Sequence, residues 1–598
     1  MSYHRIGIAR NQTAIFCLED FIAADNIVRV IDAFVDILDM EQLGFAHIKA
    51  PWTGSPPYHP ALLLKIYLYG YLNRVRSSRK LETECERNVE MRWLCHSQVP
   101  CYHTISSFRT FKNAVKNEQT GETVSINHQQ ALKEVFRSLN RFLNGQDLFG
   151  KKMVATDGTK IRAQNAKKKN YTLDKLNKKI ELSDSEIDKF MSEMAANDAV
   201  EATNGNKTEI LSDMEGKLKE LKNWNETYKA YKWELERRSE LDPEVTQISL
   251  TDPDARSIVI NNTGHSEVAF NIVTTGDDKH CLIADFKTHN IKDTTLLAQS
   301  LITAKAEFDT DFDPNLYQHI PFKTDLADCE DLKEHLNGDT SLIGLADKGF
   351  HTAEKLQKCV DNKIIPYVSV PNPAYSGKDE GFTVARFEYQ VQADVYICPN
   401  KAVASTNEKF YDKKDRKGQV QTRFKRYNVD WAICQKCPFM DKCLSKSAIQ
   451  SHHGRYIERL EHQQAADENK KRLTTKAGKA LYKRRQAIVE HPFGIIKLQW
   501  DCSYTLLRGL EKVNGEFALV FACYNIRSAV SILSVPRLLQ VLKKAKHDLT
   551  SLFYALFSTF FSKPHKMTLS TSVFFISPLR LIIRGSIVHT PTLKISYF

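Results

Sequence analysis

The sequence predicts a mixed α/β fold: an α-helical N-terminal region, then a strand-rich core carrying a helical and a cysteine-bearing insertion. Three observations predict it. Apolar residues recur at three- and four-residue spacing through the first 150 residues. Short apolar runs ending in an aspartate stand at Met153–Thr156 and Leu342–Ala346, and read as buried strands. Between and after them the order is strand, hairpin, helix, strand, helix, strand. With 598 residues, several domains are expected, with ample material for buried core. An apolar fraction of 42% and a charged fraction of 26% exclude a largely disordered chain. The formal net charge of +12 is modest for this length and compatible with a nucleic-acid partner.

Residues 1–150 form the first expected domain. Phe21, Ile27, Val28, Val30, Ile31, Phe34, Val35 and Leu38 mark one helix after Asp20. His59-Pro60-Ala61 opens a dense apolar helix through Leu62, Leu64, Ile66, Leu68 and Tyr71. Ser77–Glu82 and Thr104–Arg109 read as capped helices with basic, hydroxyl-rich ends. Such ends suit phosphate contact, and a packing or dimerisation domain explains them equally well.

The core is expected over 151–370. Met153-Val154-Ala155-Thr156 is a strand ending at Asp157, followed by Lys167, Lys168 and Lys169. Residues 172–250 are charged, and runs such as Lys217–Lys222 predict a long helical hairpin. Val268–Val273 and Cys281–Phe286 form a strand pair around the turn Gly276-Asp277-Asp278. A helix from Asp293, a strand ending at Asp347, a helix over Ala353–Val360 and a strand over Ile364–Val370 complete it. Residues 371–475 are a basic insertion with clustered cysteines, and 476–535 a closing helical region. The tail, 536–598, is apolar and basic, with no role assigned.

The opening Met1-Ser2-Tyr3-His4-Arg5 lacks the apolar core of a signal peptide, and no clean run of ~18 apolar residues is evident. A cytoplasmic protein with no membrane span is therefore expected. Thirteen unevenly spread cysteines argue against a secreted disulfide framework.

A carboxylate at the end of a buried strand is costly unless it is paired, hydrogen-bonded or bound to metal. Asp157, Asp347 and Glu490 together can hold divalent cations of the kind that cut and join phosphodiesters. Simpler readings exist for each: a turn for Asp157, a helix cap for Asp347, pairing with Arg485 or Lys497 for Glu490. Lys497 is two helical turns beyond Glu490 and, with Tyr482 and Arg485, can contact DNA phosphates; a solvated basic face explains them equally well. Lys160 and Lys348, beside the two aspartates, are further DNA-contact candidates. Pro492 and Gly494 should kink or loosen the helix past Glu490, where His491 reads as a packing residue. Asp252 and Asp254, separated by Pro253, read as loop or cap residues.

Cys434-Gln435-Lys436-Cys437, with Cys443 downstream and Cys398 upstream, suits a structural tetrahedral Zn2+ site, with plain reduced thiols as the alternative. Around it Lys401, Lys409, Lys413, Lys414, Arg416, Lys417, Arg423, Lys425 and Arg426 interleave with Phe410, Tyr411 and Phe424, a pattern that suits the DNA backbone or a solvated loop.

These residues sit in motifs that resemble the DDE transposases of bacterial insertion sequences, in the long-chain branch with an N-terminal helical transposase domain and a cysteine-bearing insertion. The resemblance runs from about residue 20 to about residue 530. It rests on Leu63–Tyr71, Ser77–Glu82, Thr156-Asp157-Gly158-Thr159-Lys160-Ile161, Thr251–Arg256, Ala346-Asp347-Lys348-Gly349-Phe350, Val489-Glu490-His491-Pro492-Phe493-Gly494 and Arg508–Val513, in family order. It implies an RNase H-like core in which the strands ending at Asp157 and Asp347 lie side by side. It implies two Mg2+ (or Mn2+) ions, Asp157 bridging them and Asp347 and Glu490 completing one site each. It further implies DNA as partner, both as element terminal repeats and as target, with a homodimer as the active form on DNA at the bacterial nucleoid. The alternatives are a catalytically dead transposase-derived DNA-binding regulator and an RNase H-like nuclease. One departure stands out. Related transposases carry Tyr, Arg, Glu and Lys with two, three and six residues between them; from Arg485 to Glu490 this chain has four.

Overall fold

The computed structural model describes residues 17–48, 56–116, 123–164, 169–204, 210–241, 245–259, 266–291, 296–308, 342–371, 382–414, 420–547, 580–583 and 586–589. The readings made for Lys167, Lys168, Asp293, Arg416, Lys417 and most of the tail lie outside these residues. The architecture is mixed α/β, as predicted, and the chain divides into two compact units. One comprises Met1–Gly150, Gly158–Lys292 and Glu490–Phe598; the other comprises Lys151–Asp157 and Asp293–Val489.

The first unit opens with helices α1 (Val28–Asp36), α2 (Pro60–Leu72), α3 (Ser78–Arg87), α4 (Val89–Leu94) and α5 (Tyr102–Thr110). Pro60 occupies the first turn of α2, where its missing N–H costs nothing, and the His59 ring accepts from Ala61 N at 3.3 Å. From Leu63 to Leu72 every residue of α2 is buried. Lys65 is tolerated there because Asp32 and Asp36 of α1 lie 2.6 and 2.8 Å from its Nζ. Gly70 admits Leu81, whose Cδ2 would stand only 2.3 Å from a Cβ at that position. Arg109 is not presented to solvent: it is buried, donating to the Tyr71 hydroxyl at 2.9 Å beside the Tyr67 ring. At this helix end the packing reading prevails over phosphate contact.

The hairpin of β1 (Lys112–Lys116) and β2 (Thr123–Asn127) leads into α6 (His128–Gly145) and then β3 (Met153–Arg162), whose second half belongs to this unit. Strand pair β4 (Asn170–Thr172) and β5 (Gln247–Ser249) closes the base of the long hairpin α7 (Leu173–Asn204) and α8 (Ile210–Leu241). Leu176 and Leu235 pack at that base, and Asp184 takes the Asn225 amide at 2.6 Å, so the helices run antiparallel. Strands β6 (Arg256–Val259), β7 (Ser266–Asp277) and β8 (Ile283–His289) pair antiparallel. Gly276 and Asp277, expected in the turn between the last two, instead extend β7 past a bulge, Gly276 pairing with Ile283, and the turn falls at 278–280.

Leu510–Leu533 is long and apolar enough to cross a membrane, yet 67% of its 18-residue apolar window is buried in the protein. It is a central core helix, packed on α2, α6 and β8. Its buried polar groups are satisfied: Glu516 accepts from Arg76 at 2.6 Å and from Leu506 N and Leu507 N, and Asn525 bonds Asn140 and Ile283.

The second unit is built on three parallel strands. The first half of β3 pairs with β9 (Leu342–Ala346), which pairs with β10 (Ile364–Val368), so Thr156, Ala346 and Val368 stand in one row. Helices α9 (Leu297–Phe308) and α10 (Ala353–Asp361) pack with these strands. Gly344 is where α9 comes closest: a Cβ there would lie 2.6 Å from Leu301 Cδ1. An antiparallel sheet follows, ordered β11 (Glu388–Gln390), β12 (Val395–Ile397), β13 (Val403–Lys414), β14 (Val420–Asn428), β15 (Tyr456–Leu460), with its own small core. Helices α11 (Gln463–Thr474) and α12 (Lys476–Arg485) return to the parallel strands. Asn469 of α11 clamps β10 by bonding both Val368 N and Val368 O, at 2.9 and 2.8 Å.

Candidate active site

The strand register decides where the first two acids go. Thr156 and Ala346 are paired and fully buried, so Asp157 and Asp347 follow side by side. β9 ends there, but β3 does not end at Asp157 as expected: it runs on to Arg162, paired with β7, so Asp157 lies within the strand, just past its pairing with β9. Both are half-buried. Asp347 also realises its simpler reading, since its Oδ1 accepts from Gly349 N at 2.7 Å and caps the short turn Lys348–Phe350. Asp157 Oδ2 accepts from Arg485 Nη1 at 3.3 Å, with side chains only 22% and 13% exposed. The guanidinium of Arg485 also lies 5.9 Å from the Tyr482 ring centre. Of the proposed DNA contacts, Arg485 is therefore engaged with a carboxylate, Tyr482 is half-buried beside it, and Lys348 is exposed.

Past Arg485 the helix changes type. Gln486–Glu490 and Ile495–Gln499 are π turns, separated by the short α segment His491–Gly494. The expected loosening around Pro492 thus takes the form of wider turns on both sides of the proline. A π turn bonds i to i+5 where an α turn bonds i to i+4, so it takes up one additional residue. The extra residue between Arg485 and Glu490 falls in the first of these turns. Ile488 and Val489 are buried against Met153, Ala155, Ile343, Leu345 and Leu481, whereas Gln486, Ala487 and Glu490 are exposed.

Glu490 and Lys497 fall in the first unit, as does Lys160. Lys160 Nζ donates to Asn271 Oδ1 at 3.0 Å, a contact with the neighbouring strand β7. Lys497 is half-buried in the second π turn, so plain α-helical spacing does not describe its position relative to Glu490. Among the described residues no three His, Cys, Asp or Glu side chains are grouped to hold a metal. As donors, the paired carboxylates of Asp157 and Asp347 are the hard oxygen ligands that a divalent cation such as Mg2+ takes.

His351 went unnoticed in the sequence. It ends the turn that Asp347 caps, its Nε2 is buried without a hydrogen-bonding partner, and burial pushes its pKa down, favouring the neutral ring. Only its closeness to the motif around Asp347 could have drawn attention to it.

Asp252 and Asp254 take the structural role expected of them. Asp252 Oδ1 and Oδ2 accept from Gly509 N at 3.0 and 3.1 Å, and Asp254 Oδ2 accepts from Leu510 N at 2.9 Å. They cap the N-terminus of the Leu510–Leu533 helix, where Gly509 supplies the φ of 88° the chain needs.

The four cysteines Cys398, Cys434, Cys437 and Cys443 line one cavity beside the small antiparallel sheet, and all four are free thiols. On that sheet Lys409, Lys413 and Lys414 are exposed, and Arg423 and Arg426 lie near the rings of Phe410 and Tyr411. Several of its bases are already paired, Arg423 with Glu461, Lys425 with Asp394 and Arg426 with Glu458.

Two family models match the chain: a transposase domain (DUF772) over residues 16–111 and a transposase DDE domain over residues 397–530. The first spans α1 to α5; the second spans the cysteine cavity, Tyr482, Arg485, Glu490 and Lys497, and both leave out Asp157 and Asp347. No curated protein and no solved structure matches. A transposase domain and a transposase DDE domain in one chain together support a DDE transposase of the insertion-sequence type.

Proposed function

We propose that this transposase binds the terminal repeats of its element, cleaves the DNA strand there and joins the freed end to target DNA. Asp157, Asp347 and Glu490 are the proposed cation ligands, on an RNase H-like core. The observation that carries this reading is the register of β3 and β9, whose last pair, Thr156 with Ala346, leaves Asp157 and Asp347 next to each other. Glu490 rests on its motif and on the DDE domain match that contains it. Bound Mg2+ or Mn2+ supplies Lewis acidity and an activated water for phosphodiester cleavage.

The protein's own groups have distinct tasks in this scheme. Asp347 is held in place by its bond to Gly349 N, so its carboxylate is pre-aimed. Arg485 orients Asp157 and offsets its charge where polyanionic DNA must approach. Exposed Lys348 beside Asp347 is placed to meet a phosphate. Two element ends must be handled together, so a homodimer on DNA, in the cytoplasm, is part of the proposal.

A second reading, a DNA-binding regulator without catalysis, draws on the same Arg485–Asp157 pair, since a carboxylate neutralised by arginine is a poorer cation ligand. Cleavage of DNA carrying the element's terminal repeats decides between them. Mg2+-dependent nicking by the wild-type chain, lost in Asp157→Asn with DNA binding kept, is the expected result. Undiminished nicking by that variant would sink the carboxylate assignment; binding without nicking by the wild type would favour the regulator.

A further inference from the structure

The cysteine cavity belongs to a part of the chain that is short of core. Among the described residues the core cluster of the antiparallel sheet β11–β15 comprises Phe387, Tyr396, Ala404, Tyr427, Val429, Cys434, Leu444 and Ile457, and most of β13 is exposed. A module with so little apolar burial commonly needs a covalent or metal staple. All four of its thiols are free, so no disulfide supplies one.

The thiols converge from separate turns. Cys398 ends a strand and enters a tight turn in which Lys401 N donates to Cys398 O at 2.8 Å, with Lys401 at a φ of 63°. Cys434 lies on a helical turn capped by Asp430, Cys437 N bonds back to Cys434 O at 3.1 Å, and Cys443 ends the next short helix. Three sulfurs accept N–H groups: Cys398 from Ala402 N at 3.2 Å, Cys434 from Arg455 N at 3.5 Å, and Cys437 from the Asn400 amide at 3.4 Å. Donors aimed at sulfur favour thiolate and are the usual outer support of metal-bound cysteine.

We propose that Cys398, Cys434, Cys437 and Cys443 form a structural zinc site that staples the turns under this sheet. Four soft sulfur ligands with no fifth donor suit tetrahedral Zn2+ and leave no open position for chemistry. The sulfurs line the cavity without yet forming a closed ligand group. Ion binding draws them together, and the exposed residues of the two turns, Pro399, Asn400, Lys401, Gln435 and Lys436, give the backbone room to follow. The site is independent of Asp157 and Asp347: zinc is expected whether or not the protein cleaves DNA.

The test is metal analysis of the full chain, purified under reducing conditions without added metal. About one zinc per chain is expected, falling to about a tenth of that in Cys434→Ser/Cys437→Ser and in Cys398→Ser/Cys443→Ser. Cys359→Ser, a buried thiol of α10, should keep its zinc. Because the double variants can misfold, the wild-type chain is also stripped with chelator and titrated with Co2+. An intense sulfur-to-cobalt absorption with tetrahedral ligand-field bands is expected. Zinc retained in both double variants, or a wild type with neither zinc nor the cobalt bands, overturns the proposal.

Discussion

Asp252 and Asp254 are both spent on one helix N-terminus, whereas Asp157 and Asp347 lie side by side with separate partners, an arginine and a turn N–H. The first pair is turned onto the N-terminus of the Leu510–Leu533 helix, and Asp252 is wholly buried with both oxygens on Gly509 N. The second pair is half-buried, Asp347 using one oxygen on Gly349 N and Asp157 facing Arg485. Both pairs satisfy the rule that a buried carboxylate needs a partner. The difference lies in what the partner can yield. A helix N-terminus is a permanent fixture of the fold; an arginine side chain at 3.3 Å can exchange its carboxylate for another anion.

The largest expected effect separates the pairs by kind of damage. Asp157→Asn should lower DNA cleavage by about three orders of magnitude, the loss of several kcal/mol of charge stabilisation. Its thermal unfolding should stay close to that of the wild type, because Asn still accepts from Arg485. An Asp157→Asn chain that unfolds early would place Asp157 with the structural pair.

His128 extends the structural class to a group that titrates near neutrality. Its Nε2 accepts from Ala46 N at 2.8 Å and its Nδ1 lies 2.8 Å from Phe108 O, among the rings of Phe45, Phe108 and Phe111. This arrangement requires the neutral ring, and burial, with His47 nearby, pushes its pKa down to about 4. A histidine with a depressed folded pKa contributes stability that is complete above its unfolded value of about 6.5 and declines as pH falls toward 4. Denaturant unfolding should therefore show on the order of 3 kcal/mol lost across that window. In His128→Gln that slope should flatten; an unchanged slope would assign it to other groups.

Asp252→Ala should cost about 2 kcal/mol in stability, for a lost helix cap and an unsatisfied N–H, measured by denaturant midpoint. Burial raises the pKa of Asp252, so its ionised form is already penalised above the ordinary value of 3.8, and stability is lost as pH rises through the folded value. Asp252→Asn should remove that pH dependence while keeping part of the cap. Equal damage to cleavage and stability in Asp252→Ala would blur the distinction between the pairs.

How much of this was legible follows from the range of the interactions. The apolar strand runs Met153–Thr156 and Leu342–Ala346 and the long hairpin of α7 and α8 are local patterns and carry through, whereas Asp252 caps a helix start 257 residues away. Arg485 and Asp157 are 328 residues apart, so their pairing depends on how α12 returns to β3. Arg109 looked like a surface base because its charge is visible in sequence and its burial between Tyr67 and Tyr71 is not. The Leu510–Leu533 helix escaped as a candidate span because Glu511, Lys512, Glu516 and Arg527 interrupt its apolar residues. Glu516 is buried all the same, through its partner Arg76.

The π turn at Gln486–Glu490 yields the smallest expected effect and bears on how Glu490 compares with Asp157 and Asp347. If that turn holds one residue more than an α helix needs, deleting exposed Ala487 should let the segment close as an ordinary α turn. Arg485 and Glu490 would then be separated by the three residues seen in related transposases, and Ile488 and Val489 would still face Met153, Ala155 and Leu345. The deletion should leave thermal unfolding within a few degrees of wild type and cleavage within about an order of magnitude. Inserting a second alanine at the same place should do the opposite, because a π turn has no further residue to absorb, and the buried pair would rotate off its contacts. Should the deletion instead unfold the chain while the insertion is tolerated, the wide turn would be a required shape rather than an accommodated insertion. Glu490 would then be positioned by the turn itself, as Asp157 and Asp347 are positioned by their strands.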